Sequence, residues 1–87
     1  MKIETRYYGP TTHRGARIRA WLFDDSGDKA GTVTLSYDYA RSPVENHRLT
    51  ARFLAVDVLC SAELDPLGET LDGRGYAYAV PARAGVA

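Results

Sequence analysis

The chain opens on an alternation of apolar and polar positions. Residues 2–8 set Ile3, Thr5 and Tyr7 against Lys2, Glu4, Arg6 and Tyr8, a period of two that predicts a strand. The segment GPTTHRG at 9–15 holds two glycines and a proline, which predicts a loop. Alternation resumes over 16–23, with Ile18, Ala20 and Leu22 on one face and Arg17, Arg19, Trp21 and Phe23 on the other. DDSGDKAG reads as an exposed hairpin connection. Residues 32–39 then place Val33, Leu35, Tyr37 and Tyr39 on one side of a third strand. A last short strand is predicted over 75–80, after a loop spelled PLGETLDGRG.

Between the third and last strands the period lengthens to 3.6. Ser42, Pro43 and Glu45 supply an N-cap, a proline at the first helical position and a capping-box glutamate. The helix is expected from about residue 43 to about residue 64, stopping before Pro66. Leu49, Phe53, Val56, Cys60 and Leu64 share one face and are assigned to the sheet. Val44, Ala51, Ala55, Val58 and Ala62 form a second stripe nearly opposite. The order strand, strand, strand, helix, strand predicts an α+β fold: an antiparallel sheet of about four strands with one long helix on one face. The other sheet face, carrying Arg17, Arg19 and Trp21, is left open. No repeat or linker divides the chain, so one domain is expected over 1–82 with a C-terminal tail at 83–87.

The second helical stripe has a consequence for assembly. One apolar face suffices to cover a sheet, and small residues on the other let a second helix approach closely. An 87-residue chain is near the size at which burial alone is marginal. A homodimer is therefore expected, with Ala51, Ala55, Val58 and Ala62 at its interface and a two-fold axis near Ala55.

Composition narrows the class. With 45% hydrophobic and 25% charged residues the chain is an ordinary globular one. Eleven basic and eleven acidic groups cancel, against both a strongly basic nucleic-acid binder and a wholly acidic mimic. A single cysteine, Cys60, allows no internal disulfide and fits a reducing compartment. The start MKIETRYYG lacks the apolar core of a signal peptide, and no apolar run approaches a membrane span. The expectation is a cytoplasmic protein of a bacterial host cell, with no membrane partner.

Net neutrality hides segregation. Residues 1–23 hold five basic groups and one acid, whereas 57–72 hold Asp57, Glu63, Asp65, Glu69 and Asp72 and no base. The basic end coincides with the richest chemistry. Residues 7–19 combine Thr11, Thr12, His13, Arg14, Arg17 and Arg19 with two glycines. Glycine permits close backbone approach, threonine donates hydrogen bonds, and arginine grips phosphate with a planar fork. Arg48 and Arg52 stand near the helix start, where free N–H groups also favour an anion. The spacing is neither a P-loop nor a dinucleotide fingerprint.

YYGPTTHRGARIRA followed by SYDYARSPVENHRLTARFL resembles a family of small bacteriophage, prophage and plasmid proteins. The positions carrying the resemblance are Gly9, Pro10, Thr11, Arg14, Gly15, Arg17, Ile18, Ala20, Tyr37, Asp38, Tyr39, Ala40, Asn46 and His47. They lie in the first two-thirds of the chain. Relatives end the helix in a Leu-Gly-Trp step, where this chain has LCSAELDPLGE. The resemblance implies a mobile-element setting and no mechanism.

Enzymatic chemistry finds little footing. Neither His13 nor His47 has a partner fixed by sequence, and Cys60 reads as a core residue. Asp24, Ser26 and Asp28 imitate the start of a calcium loop, but Leu35 stands where its glutamate belongs. No zinc-ligand cluster occurs, and no cofactor or metal is implied. The expected function is a non-enzymatic binding module for a phosphorylated ligand, a nucleotide signal or a nucleic-acid backbone, suited to counter-defence. Its expected ligand contacts are Thr11, Thr12, His13, Arg14, Arg17, Asn46, His47 and Arg48. Two alternatives stay open. One is an inhibitor that docks on a host defence enzyme through the acidic segment. The other is single-stranded nucleic-acid binding on the open sheet face.

Overall fold

The structure, a computed structural model, describes residues 1–59, 63–70 and 73–80. It is an α+β fold with one helix on an antiparallel sheet. The elements are β1 (Lys2–Tyr8), β2 (Arg17–Phe23), β3 (Lys29–Ser36), α1 (Pro43–Leu59), β4 (Asp65–Glu69) and β5 (Tyr76–Ala79). The sheet order is β3-β2-β1-β5-β4, and every neighbouring pair is antiparallel. β1 pairs with β2 from Lys2↔Phe23 to Tyr8↔Arg17. Ile3, Thr5 and Ile18, Ala20, Leu22 are therefore buried under α1, while Arg6, Tyr8, Arg17, Arg19 and Trp21 lie on the face away from it.

Five strands are found among the described residues where about four were expected. The added strand is β4, DPLGE, from the segment read as a loop. Proline and glycine hide it in the sequence, since both disfavour strand interiors. It is an edge strand, and its register shifts between Pro66 and Gly68, with Gly68 at φ 117. An edge tolerates both residues, and the irregularity blunts its capacity to pair with another chain. α1 also stops short of the expected residue 64, since Glu63 and Leu64 are not helical. The 24–28 connection is a hairpin turn, in which Asp24 Oδ1 accepts the N–H groups of Ser26 and Asp28 at 2.9 and 3.0 Å.

The faces of α1 differ from the expected ones. Of the described residues in the stripe assigned to the sheet, only Leu64, past the helix, packs on the core. Of the opposite stripe, Ala51 and Ala55 are buried while Val44 and Val58 are exposed. Ala51 and Ala55 are 0% exposed and pack with Leu54 on Ile3, Ala20, Leu22 and Tyr78. Phe53 is 52% exposed, with Leu49 and Val56 beside it in solvent. An interface centred on Ala55 is thereby overturned, because that surface is the chain's own core. Val58 is exposed and flanks Gly31 of β3, and a Cβ on Gly31 would lie 3.2 Å from it and 3.5 Å from Leu54. Cys60, Ala62 and the tail at 83–87 lie outside the described residues. The difference has a polar cause. The buried stripe continues towards the helix start as Asn46, His47 and Thr50, which a reading of apolar spacing cannot count. Each has a hydrogen-bond partner that makes its burial affordable.

The serine cap and the first-turn proline hold, while the Glu45 carboxylate faces Arg41 rather than closing a capping box. Ser42 Oγ accepts the Glu45 N–H at 3.2 Å. Glu45 pairs with Arg41 at 3.6 Å, and Arg41 with Asp38 at 3.2 Å. No helix among the described residues is long and apolar enough to cross a membrane.

Candidate ligand-binding site

One end of the sheet gathers the termini of six elements: the ends of β1, β3 and β4 and the starts of β2, α1 and β5. The loops there are held by specific bonds. The Thr11 N–H donates to the Arg14 carbonyl at 2.7 Å, and the Arg14 N–H donates back to Thr11 Oγ1 at 3.1 Å. The Tyr37 N–H donates to the Ala16 carbonyl at 2.9 Å, tying the end of β3 to the start of β2. Asn46 organises the turn before the helix. Its Oδ1 accepts the Asp38 N–H at 2.8 Å, and its Nδ2 faces the carbonyls of Asp38, Arg41 and Ser42 at 2.9, 3.3 and 3.0 Å.

These contacts frame a cleft of about 700 Å³. Four of the chain's six tyrosines, Tyr7, Tyr37, Tyr39 and Tyr76, line it, together with His47 and Arg74. Tyr7 and Tyr37 meet edge-to-face with centroids 5.4 Å apart, and Tyr37 and Tyr39 do so at 5.0 Å. The His47 ring stands 4.9 Å from that of Tyr76, also steeply inclined. Such edge-to-face packing orients the rings against one another, although Tyr39 at the rim is 75% exposed.

His47 is the cleft's buried polar group. Its Nδ1 lies 2.7 Å from Thr5 Oγ1. The same oxygen accepts the Tyr76 N–H at 3.1 Å and donates to the Tyr76 carbonyl at 3.3 Å. A hydroxyl has one hydrogen and two lone pairs. All three contacts are satisfied when that hydrogen goes to the carbonyl and Nδ1–H donates to Oγ1. This assigns the tautomer, and leaves Nε2 as an acceptor that no described hydrogen bond uses. Burial lowers the His47 pKa, which favours the neutral ring.

Beside the cleft lies a second hollow, lined by Arg14, Gly15, Arg17, Thr34 and Ser36 and by the same Tyr37 and Tyr39. The Arg17 guanidinium sits 5.2 Å from the Tyr8 ring centroid, with Nη1 3.5 Å from the Gly15 carbonyl. The two tyrosines are thus a shared wall between an aromatic cleft and a basic hollow.

The candidate residues separate into three groups. His47 lines the cleft, while Arg14 and Arg17 line the hollow. Thr11 and Asn46 are spent on loop geometry, and Asn46 is buried. Thr12 and His13 are exposed and line neither hollow. Arg48 belongs elsewhere: it lines a depression with Arg52, Glu63 and Asp65, close enough to Tyr78 to oppose the rise of that phenol's pKa to about 12, which burial and then Tyr76 produce. The residues missed were Thr5, Tyr7, Tyr37, Tyr39 and Tyr76. The usable signal was the density of tyrosine at strand ends, where a ring is not needed to fill the core.

No protein-family model matches this chain, and neither a curated protein nor a solved structure does.

Proposed function

We propose that the protein is a non-enzymatic binding module for a small phosphorylated ligand bearing a flat aromatic base, in chemical terms a nucleotide. The observation that carries this reading is the wall shared by the tyrosine cleft and the Arg14–Arg17 hollow. A base laid against the open face of a tyrosine ring gains stacking, the neutral His47 Nε2 accepts a hydrogen bond from an exocyclic amine or ring N–H, and a phosphate reaches the arginines on the other side of Tyr37 and Tyr39. Large apolar walls with a few convergent polar groups are the usual make-up of a small-molecule site. Arginine supplies the planar fork that a phosphate accepts.

The test is a thermal-shift screen with the four ribonucleoside monophosphates, their nucleosides and inorganic phosphate. Ligand at about 100 times Kd adds about 2.7 kcal/mol of apparent stability. The reading requires a shift with at least one monophosphate that exceeds those of its nucleoside and of phosphate alone. Arg14→Ala should abolish that excess while leaving the unliganded melting temperature near wild type. No shift with any of the nucleotides contradicts it.

A further inference from the structure

The sheet face away from α1 carries a second, independent arrangement. Three rings lie on it, Tyr8, Trp21 and Phe23, and each has a cation above it. Arg6 and Arg17 stand 5.7 and 5.2 Å from the Tyr8 centroid. Arg19 and Lys29 stand 5.6 and 5.8 Å from that of Trp21, and Lys2 is 5.9 Å from that of Phe23. Arg19 is braced there: its Nε donates to Thr32 Oγ1 at 3.3 Å, and that hydroxyl donates to the Ala20 carbonyl at 2.9 Å. Against these five cations the three strands β1, β2 and β3 offer one carboxylate, Glu4, bridged to Lys2 at 2.8 Å, and the remaining nearby acids, Asp24, Asp25 and Asp28, lie in the hairpin at the end of the face. A chain of zero net charge has thus concentrated a cationic excess on one flat surface.

We propose that this face is a binding surface for single-stranded nucleic acid. The occupant follows from the pairing of ring and cation. A polyanion alone calls for charge, and an apolar partner calls for rings. A strand with unpaired bases calls for both, phosphate on the cation and base on the ring. The spacing suits successive bases. Glu4 is opposite Trp21 and Lys2 opposite Phe23, so Trp21 and Phe23 are two residues apart on one strand, about 7 Å. Tyr8 is opposite Arg17, a further four residues from Trp21, or roughly 13 Å along the sheet. The rings therefore sit at separate stations along β1 and β2. A five-stranded sheet is wider than the two-stranded ribbon that a major groove admits, and it lies flat under splayed bases. Arg17 links this face to the hollow at the sheet end, but Trp21 and Arg19 line neither hollow, so their arrangement is independent of the cleft.

The chain has one tryptophan, so its emission reports on this face alone. The test is titration of the full chain with dT8, U8, a duplex of the same length and poly-glutamate, read by Trp21 quenching and by anisotropy of labelled oligonucleotides. We expect quenching by dT8 or U8, the arms separating DNA from RNA. Three to four phosphate contacts at about −0.7 each in log–log slope weaken binding about 20- to 50-fold between 50 and 200 mM salt. Trp21→Ala should weaken binding at least fivefold, and Arg19→Gln should weaken it and reduce the salt slope by about 0.7. Both variants lie outside the core, so unchanged circular dichroism spectra are expected of each. Loss of oligonucleotide binding in Trp21→Ala with nucleotide binding at the cleft intact would separate the two surfaces. Absent quenching, equal affinity for poly-glutamate, or preference for the duplex would each overturn the proposal.

Discussion

His47 and Thr5 lie 42 positions apart in sequence, yet their Nδ1 and Oγ1 atoms meet at 2.7 Å in the buried interior. That one contact joins helix to sheet, and through Tyr76 it joins β1 to β5. It also selects the nitrogen that the cleft receives. A residue of the helix's first two turns is thereby converted from a surface ionisable group into a fixed, neutral acceptor.

Stability should fall on acidification through His47. Burial holds its folded-state pKa below 6.5, so the unfolded chain takes up the proton first. The stabilisation is complete above pH 6.5 and is lost as pH falls below that value, until the folded pKa is reached. Urea midpoints at pH 7.5 and 5.5 measure it: the wild type should drop, and His47→Gln should drop less. An equal drop in both would assign the effect to other groups.

Thr5→Val keeps the shape and deletes the hydroxyl. It strands the His47 Nδ1–H and removes a bond to each backbone group of Tyr76. A cost of about 1–3 kcal/mol in denaturant unfolding is expected. A neutral result would mean that the hydroxyl does not anchor the ring.

Gly75 is irreplaceable for a steric reason. A Cβ there would run into the backbone carbonyl of Thr5, with Arg6 Cα close behind. Backbone cannot yield as a flexible side chain does, so Gly75→Ala should cost at least the 1–3 kcal/mol typical of overpacking and disturb the β1–β5 pairing beside the cleft. A wild-type melting temperature would contradict the close approach.

The helix faces can be distinguished with one substitution on each. Ala55→Arg forces a charge into a site that is 0% exposed and should prevent stable folding, whereas Phe53→Arg, at 52% exposure, should change stability by about 0.5 kcal/mol or less. Thermal melts of the two variants decide it. The opposite ranking would restore Phe53 to the sheet.

Much of the fold could be read from periodicity because β1, β2 and β3 alternate cleanly and Ser42, Pro43 and Glu45 mark the helix start. β4 was illegible because Pro66 and Gly68 read as loop, and only its edge position makes them tolerable. The helix faces escape a reading of apolar spacing because half of the buried stripe is polar. Asn46, His47 and Thr50 are buried by virtue of partners 4 to 42 residues away, and spacing carries no record of partners. The same limit applies to the site. Arg14 and Arg17 were visible as chemistry, but the tyrosines beside them come from β1, the segment that follows β3, and β5. Only the sheet order brings them together.

The central claim is that cleft and hollow act as one site, and amide chemical shifts of the labelled protein test it most directly. Adenosine monophosphate should move the amides of Gly9, Tyr37, Tyr39 and Gly75 around the cleft together with those of Arg14, Gly15 and Arg17 around the hollow. Adenosine alone should move the cleft group, and inorganic phosphate alone the hollow group. Asp65, at the far end of the edge strand, should stay still with all three. If the monophosphate moves neither group, or moves one without the other, the two hollows are not a single nucleotide site.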